Sequence, residues 1–274
     1  MRIAICISGH FRKFSELYRN WFDLFYSPLS KYNQVDIFIH TWSELNSSDC
    51  FSVQQLDNIV DSNKLDEIHF RSLLNPVKMV VEDFAQIKDN FTIDKYYKPN
   101  QKIHPLVYNH KSKIQYCFPM FYKWFSCNEL KKKKEKEENF KYDLVVKCRP
   151  DIFFFREIRP EEFDPNYVYM RTPSQDFLIF GSSENIDRVT SIYANLHNLI
   201  NKYECEYTPE QLCEYHFQEN GLDHSKMKCF GEASCWVYPR RLFRRACYDI
   251  LTKYNRRNDF YYLMKKYGAK LNHD

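Results

Sequence analysis

Three charged side chains closing an apolar run, Lys147, Arg149 and Asp151, combine types and spacing that can do chemistry. They lie in the stretch Tyr142 to Phe155, which reads Tyr-Asp-Leu-Val-Val-Lys-Cys-Arg-Pro-Asp-Ile-Phe-Phe-Phe. Strand residues two apart share a face, so two cations and a carboxylate are expected to point the same way. Such a set suits a phosphate-bearing ligand, with a divalent metal on the carboxylate as one option. The other reading is a salt-bridged strand end of modest energetic worth. Leu144, Val145 and Val146 are apolar without alternation, which implies a sheet covered on both faces, as in α/β proteins. Ligands of open α/β sheets bind beyond the carboxyl ends of the strands.

Two earlier strands supply further candidates at their ends. Arg2 to Ser8 reads as a first buried strand followed at once by Gly9, one of only five glycines, and then by Arg12. The glycine implies either a close backbone approach or a tight turn. Phe14 to Phe25 carries Phe14, Leu17, Tyr18, Trp21, Phe22, Leu24 and Phe25 at helical spacing, and Val35 to His40 reads as a second strand ending in Thr41 and Trp42. Strand, helix, strand opens a βαβ unit. Neither G-x-G-x-x-G nor G-x-x-x-x-G-K-[ST] is present, so a dinucleotide dehydrogenase or a P-loop enzyme has no support.

Composition narrows the class further. A chain of 274 residues is long enough for a sizeable core, and the expectation is one domain spanning residues 1–274. A net charge of +4 with interspersed signs does not demand a nucleic-acid partner. The ten cysteines include no C-x-x-C pair, which disfavours a zinc module. Cys6 and Cys148 fall within strands, where thiols pack as small hydrophobes, so a reducing, cytoplasmic setting is expected. Ile3 to Ile7 is too short for a signal peptide core, and no run reaches the roughly 18 to 20 apolar residues of a membrane span. In that setting the sequons at Asn46 and Asn90 carry no glycan.

The remaining elements read less sharply. A helix is expected at Val53 to Val60, a short strand near Lys78 to Val81, and a polar loop over a site from Lys88 to Lys113. Ile114 to Leu130 reads as a helix whose inner face holds Met120, Phe121, Trp124 and Phe125, with Lys131 to Glu138 as its solvated end. Strands follow at Tyr167 to Arg171 and Gln175 to Gly181. Ser182 or Ser183 is placed to cap a helix over Glu184 to Tyr203, and Pro209 to start another over Glu210 to Asn220, stopped by Gly221. Cys235 to Tyr238 reads as a last short strand before Pro239 and Arg240, Arg241, Arg244 and Arg245.

Four places together resemble the small glycosyltransferase-like proteins of bacterial lipopolysaccharide and capsule clusters, with relatives in large DNA viruses. They are Ile5 to Arg12, Val35 to Trp42, Tyr142 to Ile152 with the preceding Pro119-Met120-Phe121-Tyr122, and Asp176 to Gly181 followed by Pro209-Glu210. The resemblance covers roughly residues 3 to 222. It implies a GT-A-like (Rossmann-like) α/β fold with a mixed, mainly parallel sheet flanked by helices. It also implies transfer of a sugar from a nucleotide-sugar donor to a glycan acceptor. On this reading Ser8, Gly9, Arg12, His40, Trp42, Lys147, Arg149 and Asp151 bind the donor, and Asp151 is the candidate ligand of a divalent cation such as Mn or Mg. The Asp-x-Asp motif common in GT-A enzymes is incomplete, since residue 153 is Phe. Arg149, Lys147 or the arginines near the C-terminus are therefore the alternative means of offsetting diphosphate charge. Inverting transfer needs a base for the acceptor proton, and Asp176 and Glu210 are the candidates. His216, on the Glu210 helix, reads as a packed or surface residue. A catalytically inactive nucleotide- or sugar-binding module and a nucleic-acid binder are the competing classes.

Overall fold

A computed structural model describes residues 1–12, 14–44, 64–91, 111–170, 177–203, 209–222, 225–231, 234–237 and 249–267. The first apolar run forms strand β1 (Arg2–Ser8), and the aromatic periodic segment forms helix α1 (Phe14–Trp21). That helix widens into a five-residue π-turn, Phe22–Tyr26, and ends as the short α2 (Ser27–Ser30). Then come β2 (Gln34–Trp42), α3 (Glu67–Leu74), β3 (Lys78–Glu82) and α4 (Phe84–Ile87), the last running into a 3₁₀ turn, Lys88–Phe91. Helix α5 (Lys111–Glu138) leads to β4 (Leu144–Cys148) and β5 (Ile152–Phe154). After β6 (Val168–Met170) and β7 (Leu178–Gly181) come α6 (Ser183–Thr190), α7 (Ile192–Lys202) and α8 (Pro209–Glu219). Strands β8 (Met227–Cys229) and β9 (Cys235–Val237) and helix α9 (Arg257–Tyr267) complete the described chain.

Seven strands form one sheet in the order β3-β2-β1-β4-β7-β6-β8. β3, β2, β1 and β4 are mutually parallel, β7 runs against β4 and β6, and β6 is parallel to β8. The fold is therefore α/β, with a mixed and mainly parallel sheet. Alternation sorts its residues onto two faces. Ile3, Ile5, Ile7, Leu144, Val146 and Cys148 pack with Phe14, Trp21 and Phe25 of the α1 layer. Ala4, Cys6, Phe38 and Val145 pack with Phe121 and Trp124 of α5 and with the helices after β7. Covering both faces explains why these strands read as continuous apolar runs.

Some expectations change in detail. The helix expected over Glu184 to Tyr203 is two helices broken at Ser191, with Ser182 as the N-cap accepting from the Asn185 amide. The expected helix at Val53 to Val60 and the four arginines at 240, 241, 244 and 245 lie outside the described residues. Of the loop expected from Lys88 to Lys113, the described ends are the 3₁₀ turn and the start of α5. The charge run is not uniformly solvated: Lys131 is 0% exposed and Glu135 2%. Lys131 Nζ donates to Ser183 Oγ at 2.6 Å and to Asp187 Oδ1 at 2.7 Å, while the Ser183 hydroxyl donates to Glu135. These groups clamp α5 to α6. Among the described residues, no helix is long and apolar enough to cross a membrane.

Candidate functional site

At the carboxyl edge of the sheet β1 ends at Ser8, β2 at Trp42 and β4 at Cys148. The chain leaves β1 through Gly9, whose φ of +111° is unsuited to an L side chain. A Cβ built there would meet nothing within 4 Å, so the tight turn, not a close approach, demands the glycine. The Thr41 hydroxyl donates to the Gly9 carbonyl at 2.8 Å and ties this turn to β2. Arg12 follows, itself at a positive φ of +31°.

Asp151 is placed from both sides. Before it, β4 ends at Cys148, the Arg149 amide makes one further backbone bond to the Phe177 carbonyl at 3.0 Å, and the chain bends at Pro150. After it, β5 joins a separate antiparallel pair with β9. The Asn20 side chain supports β5 from α1, donating to the Phe154 carbonyl at 3.0 Å and accepting from its amide at 2.7 Å. The carboxylate, 1% exposed, is gripped by two guanidinium groups. Arg149 donates from Nε to Oδ1 at 2.8 Å and from Nη2 to Oδ2 at 2.6 Å, and Arg12 Nη1 donates to Oδ2 at 2.7 Å. Burial alone would raise the Asp151 pKa, but Arg149 and then Arg12 outweigh it and hold the carboxyl below its usual range.

Lys147 precedes this pair within β4. It is buried on the α5 face, its ammonium 3.6 Å from the centroid of the Trp124 ring. Ser8 and His40 are partners in the parallel register, at the ends of β1 and β2. Both are buried, and among the described residues the Ser8 hydroxyl and His40 Nδ1 have no hydrogen-bond partner. Such orphaned polar atoms are costly unless something polar meets them.

Trp42 belongs to the core and is buried with Phe84 and Phe91. Its ring carries Lys123 Nζ at 3.4 Å from the centroid. Lys123, Glu82 and His10 are functional candidates that sequence reasoning passed over. The Lys123 ammonium donates to the Thr41 carbonyl and to Glu82 Oε2, both at 2.8 Å, and the Tyr122 hydroxyl donates to Glu82 Oε1 at 2.8 Å. Burial, partly offset by Glu82, lowers Lys123 to about 8. His10 and His40 are each lowered to about 3, first by burial and then by nearby cations, Arg12 and Lys123 for the former and Lys123 for the latter. Both imidazoles are thus neutral at pH 7. The one available signal for Lys123 was a lone cation in an otherwise apolar helical stretch, Met120-Phe121-Tyr122-Lys123-Trp124-Phe125.

The two candidate bases are not brought to this cluster by any described contact. Asp176 lies outside the described residues. Glu210 is exposed in the first turn of α8, near enough to Cys117 of α5 that its charge adds to the burial raising that thiol. His216 is fully buried, with Nε2 at 2.7 Å from the Arg188 carbonyl, as a packed residue would be. The donor set does not fit a divalent cation: Asp151 is spanned by guanidinium groups, and among the described residues no three His, Cys, Asp or Glu side chains gather.

No protein-family model matches the sequence. No curated protein matches it either. Among solved structures, the apo form of mouse xyloside xylosyltransferase 1 is similar over 84% of this chain and 84% of its own, at 12% identity and a TM-score of 0.37.

Proposed function

We propose that this protein is a GT-A-like glycosyltransferase that takes a sugar from a nucleotide-sugar donor and passes it to a glycan acceptor, as in polysaccharide, lipopolysaccharide or glycoprotein-glycan synthesis. The observation that carries the reading is the Arg12–Asp151–Arg149 cluster at the carboxyl ends of β1 and β4. A crevice beyond parallel strand ends is where α/β sheets take nucleotides, and guanidinium groups match phosphate oxygens in charge and shape. The orphaned Ser8 hydroxyl and His40 Nδ1, on the neighbouring strand ends, are suited to polar groups of the nucleoside. The order of the sheet, with β7 antiparallel within a parallel set, also suits a GT-A-like fold.

In the transfer, the bond from the anomeric carbon to the diphosphate oxygen breaks and its electron pair leaves with the nucleoside diphosphate. The acceptor oxygen forms the new bond and loses its proton. Asp176 or Glu210 takes that proton if the configuration inverts, while retention does not require the same enzyme base. A second reading, an inactive nucleotide- or sugar-binding module, is favoured by one fact: the described carboxylates of the crevice, Asp151 and Glu82, are both held in ion pairs. Thermal unfolding with UDP, GDP and their sugars tests the donor site, since a ligand that binds only the folded state raises the melting temperature. No shift with any of them removes the donor site. Release of free nucleoside diphosphate from a nucleotide sugar separates the enzyme from the inactive module.

A further inference from the structure

The arrangement around Asp151 bears on how the leaving diphosphate is neutralised. A hard divalent cation requires oxygen ligands whose lone pairs face it, and commonly more than one carboxylate. Both oxygens of Asp151 instead point at guanidinium nitrogens, through three hydrogen bonds of 2.6 to 2.8 Å. The carboxylate is 1% exposed, whereas the side chains of Arg12 and Arg149 are 14% and 23% exposed, so the face turned to solvent is cationic. Buried Lys123 adds a third positive charge at the end of β2, offset by Glu82. Introducing a dication beside Asp151 would displace two cations from their counter-ion and bring like charges together. A diphosphate would meet complementary charge.

We infer that the donor diphosphate is bound, and the charge of its leaving group offset, by Arg12 and Arg149 without a divalent metal, Asp151 being the positioning residue that sets both guanidinium groups. This rests on the donor-site reading above. Arg12 reaches Asp151 from a turn with two positive-φ residues, and Asp151 is fixed between β4 and β5, so the two arginines are oriented before ligand arrives. Such pre-set donors act on developing negative charge without reorganising during the reaction.

The test is calorimetric titration of UDP, GDP and inorganic pyrophosphate into the protein in EDTA and, separately, with manganese. The expected result is an affinity in EDTA within about twofold of that in manganese, well under the tenfold that corresponds to roughly 1.4 kcal/mol. Arg149→Gln should weaken binding about tenfold or more, with Arg149→Lys intermediate because it keeps the charge but loses the planar fork. Asp151→Asn should weaken binding while leaving its insensitivity to metal unchanged. Circular dichroism and urea midpoints of each variant separate loss of the site from loss of the fold. Binding seen only with manganese overturns the inference and leaves the donor reading intact. Binding in neither condition overturns both.

Discussion

Acidification from pH 7 to pH 5 isolates the contribution of the neutral histidines, because the paired carboxylates titrate lower. His40 is buried and lowered to about 3 from an ordinary 6.5, so between those values the unfolded chain binds a proton that the folded one refuses. Stability then rises with pH, and is lost as pH falls below about 6.5. At pH 5 this removes about 2 kcal/mol through His40, at about 1.36 kcal/mol per pH unit of differential binding. His10 acts with the same sign, but it is only partly buried and its share is discounted to about 1 kcal/mol. Buried His216, also lowered, adds to the loss. A total of about 3 kcal/mol or more is a large part of the roughly 5–15 kcal/mol that holds a typical domain together. Urea unfolding at pH 7, 6 and 5 measures it, and His40→Gln should shrink the difference between pH 7 and pH 5 by about 2 kcal/mol. Equal stability at pH 7 and 5, or imidazole titrations near 6.5 for both residues by NMR, would refute the reasoning.

Lys131→Met should destabilise the fold by about 3 kcal/mol, because it strips a buried cation from Glu135 and Asp187 at the α5–α6 clamp; an unchanged urea midpoint would restore the solvated reading of the charge run. Gly9→Ala should cost about 1 to 3 kcal/mol through its φ of +111° and weaken nucleotide binding by moving Arg12, with urea unfolding and titration as the checks. Asp176→Asn should lower turnover while nucleotide affinity stays nearly intact, and equal losses in both would assign it to the donor pocket or the fold.

Strands such as β1 were legible because their runs are short and largely apolar, as a strand covered on both faces has to be, whereas β8, Met-Lys-Cys, has no such run and was not expected. Arg2 to Ser8, for instance, is recovered residue for residue. Asp151 and Arg149 were legible as a charged pair two residues apart, but the second arginine of the clamp lies 139 positions away and no local pattern joins them. Lys147 was read onto their face by period-two alternation, and its ammonium lies against the Trp124 ring of α5. The burial of Lys131 and Glu135 had a signal in spacing: Trp124, Asn128, Lys131 and Glu135 continue one buried helical stripe. Reading the run by charge alone concealed it. Lys123 was masked in the opposite way, as a polar residue between Phe121 and Trp124 of the inner face.

The handover of the chain from β4 to β5 sets an order of assembly. β4 finds β1 across 141 residues of sequence, but β5 has its only described strand partner in β9, some 80 residues further on. During synthesis from the N-terminus, the large sheet can therefore begin to pair while the stretch after Pro150 still lacks one of its two supports. Only when residues 235–237 arrive does the strand that fixes Asp151 acquire both Asn20 and β9. The stretch that carries Asp151 thus gains its second strand support only after most of the core-forming sequence has been made.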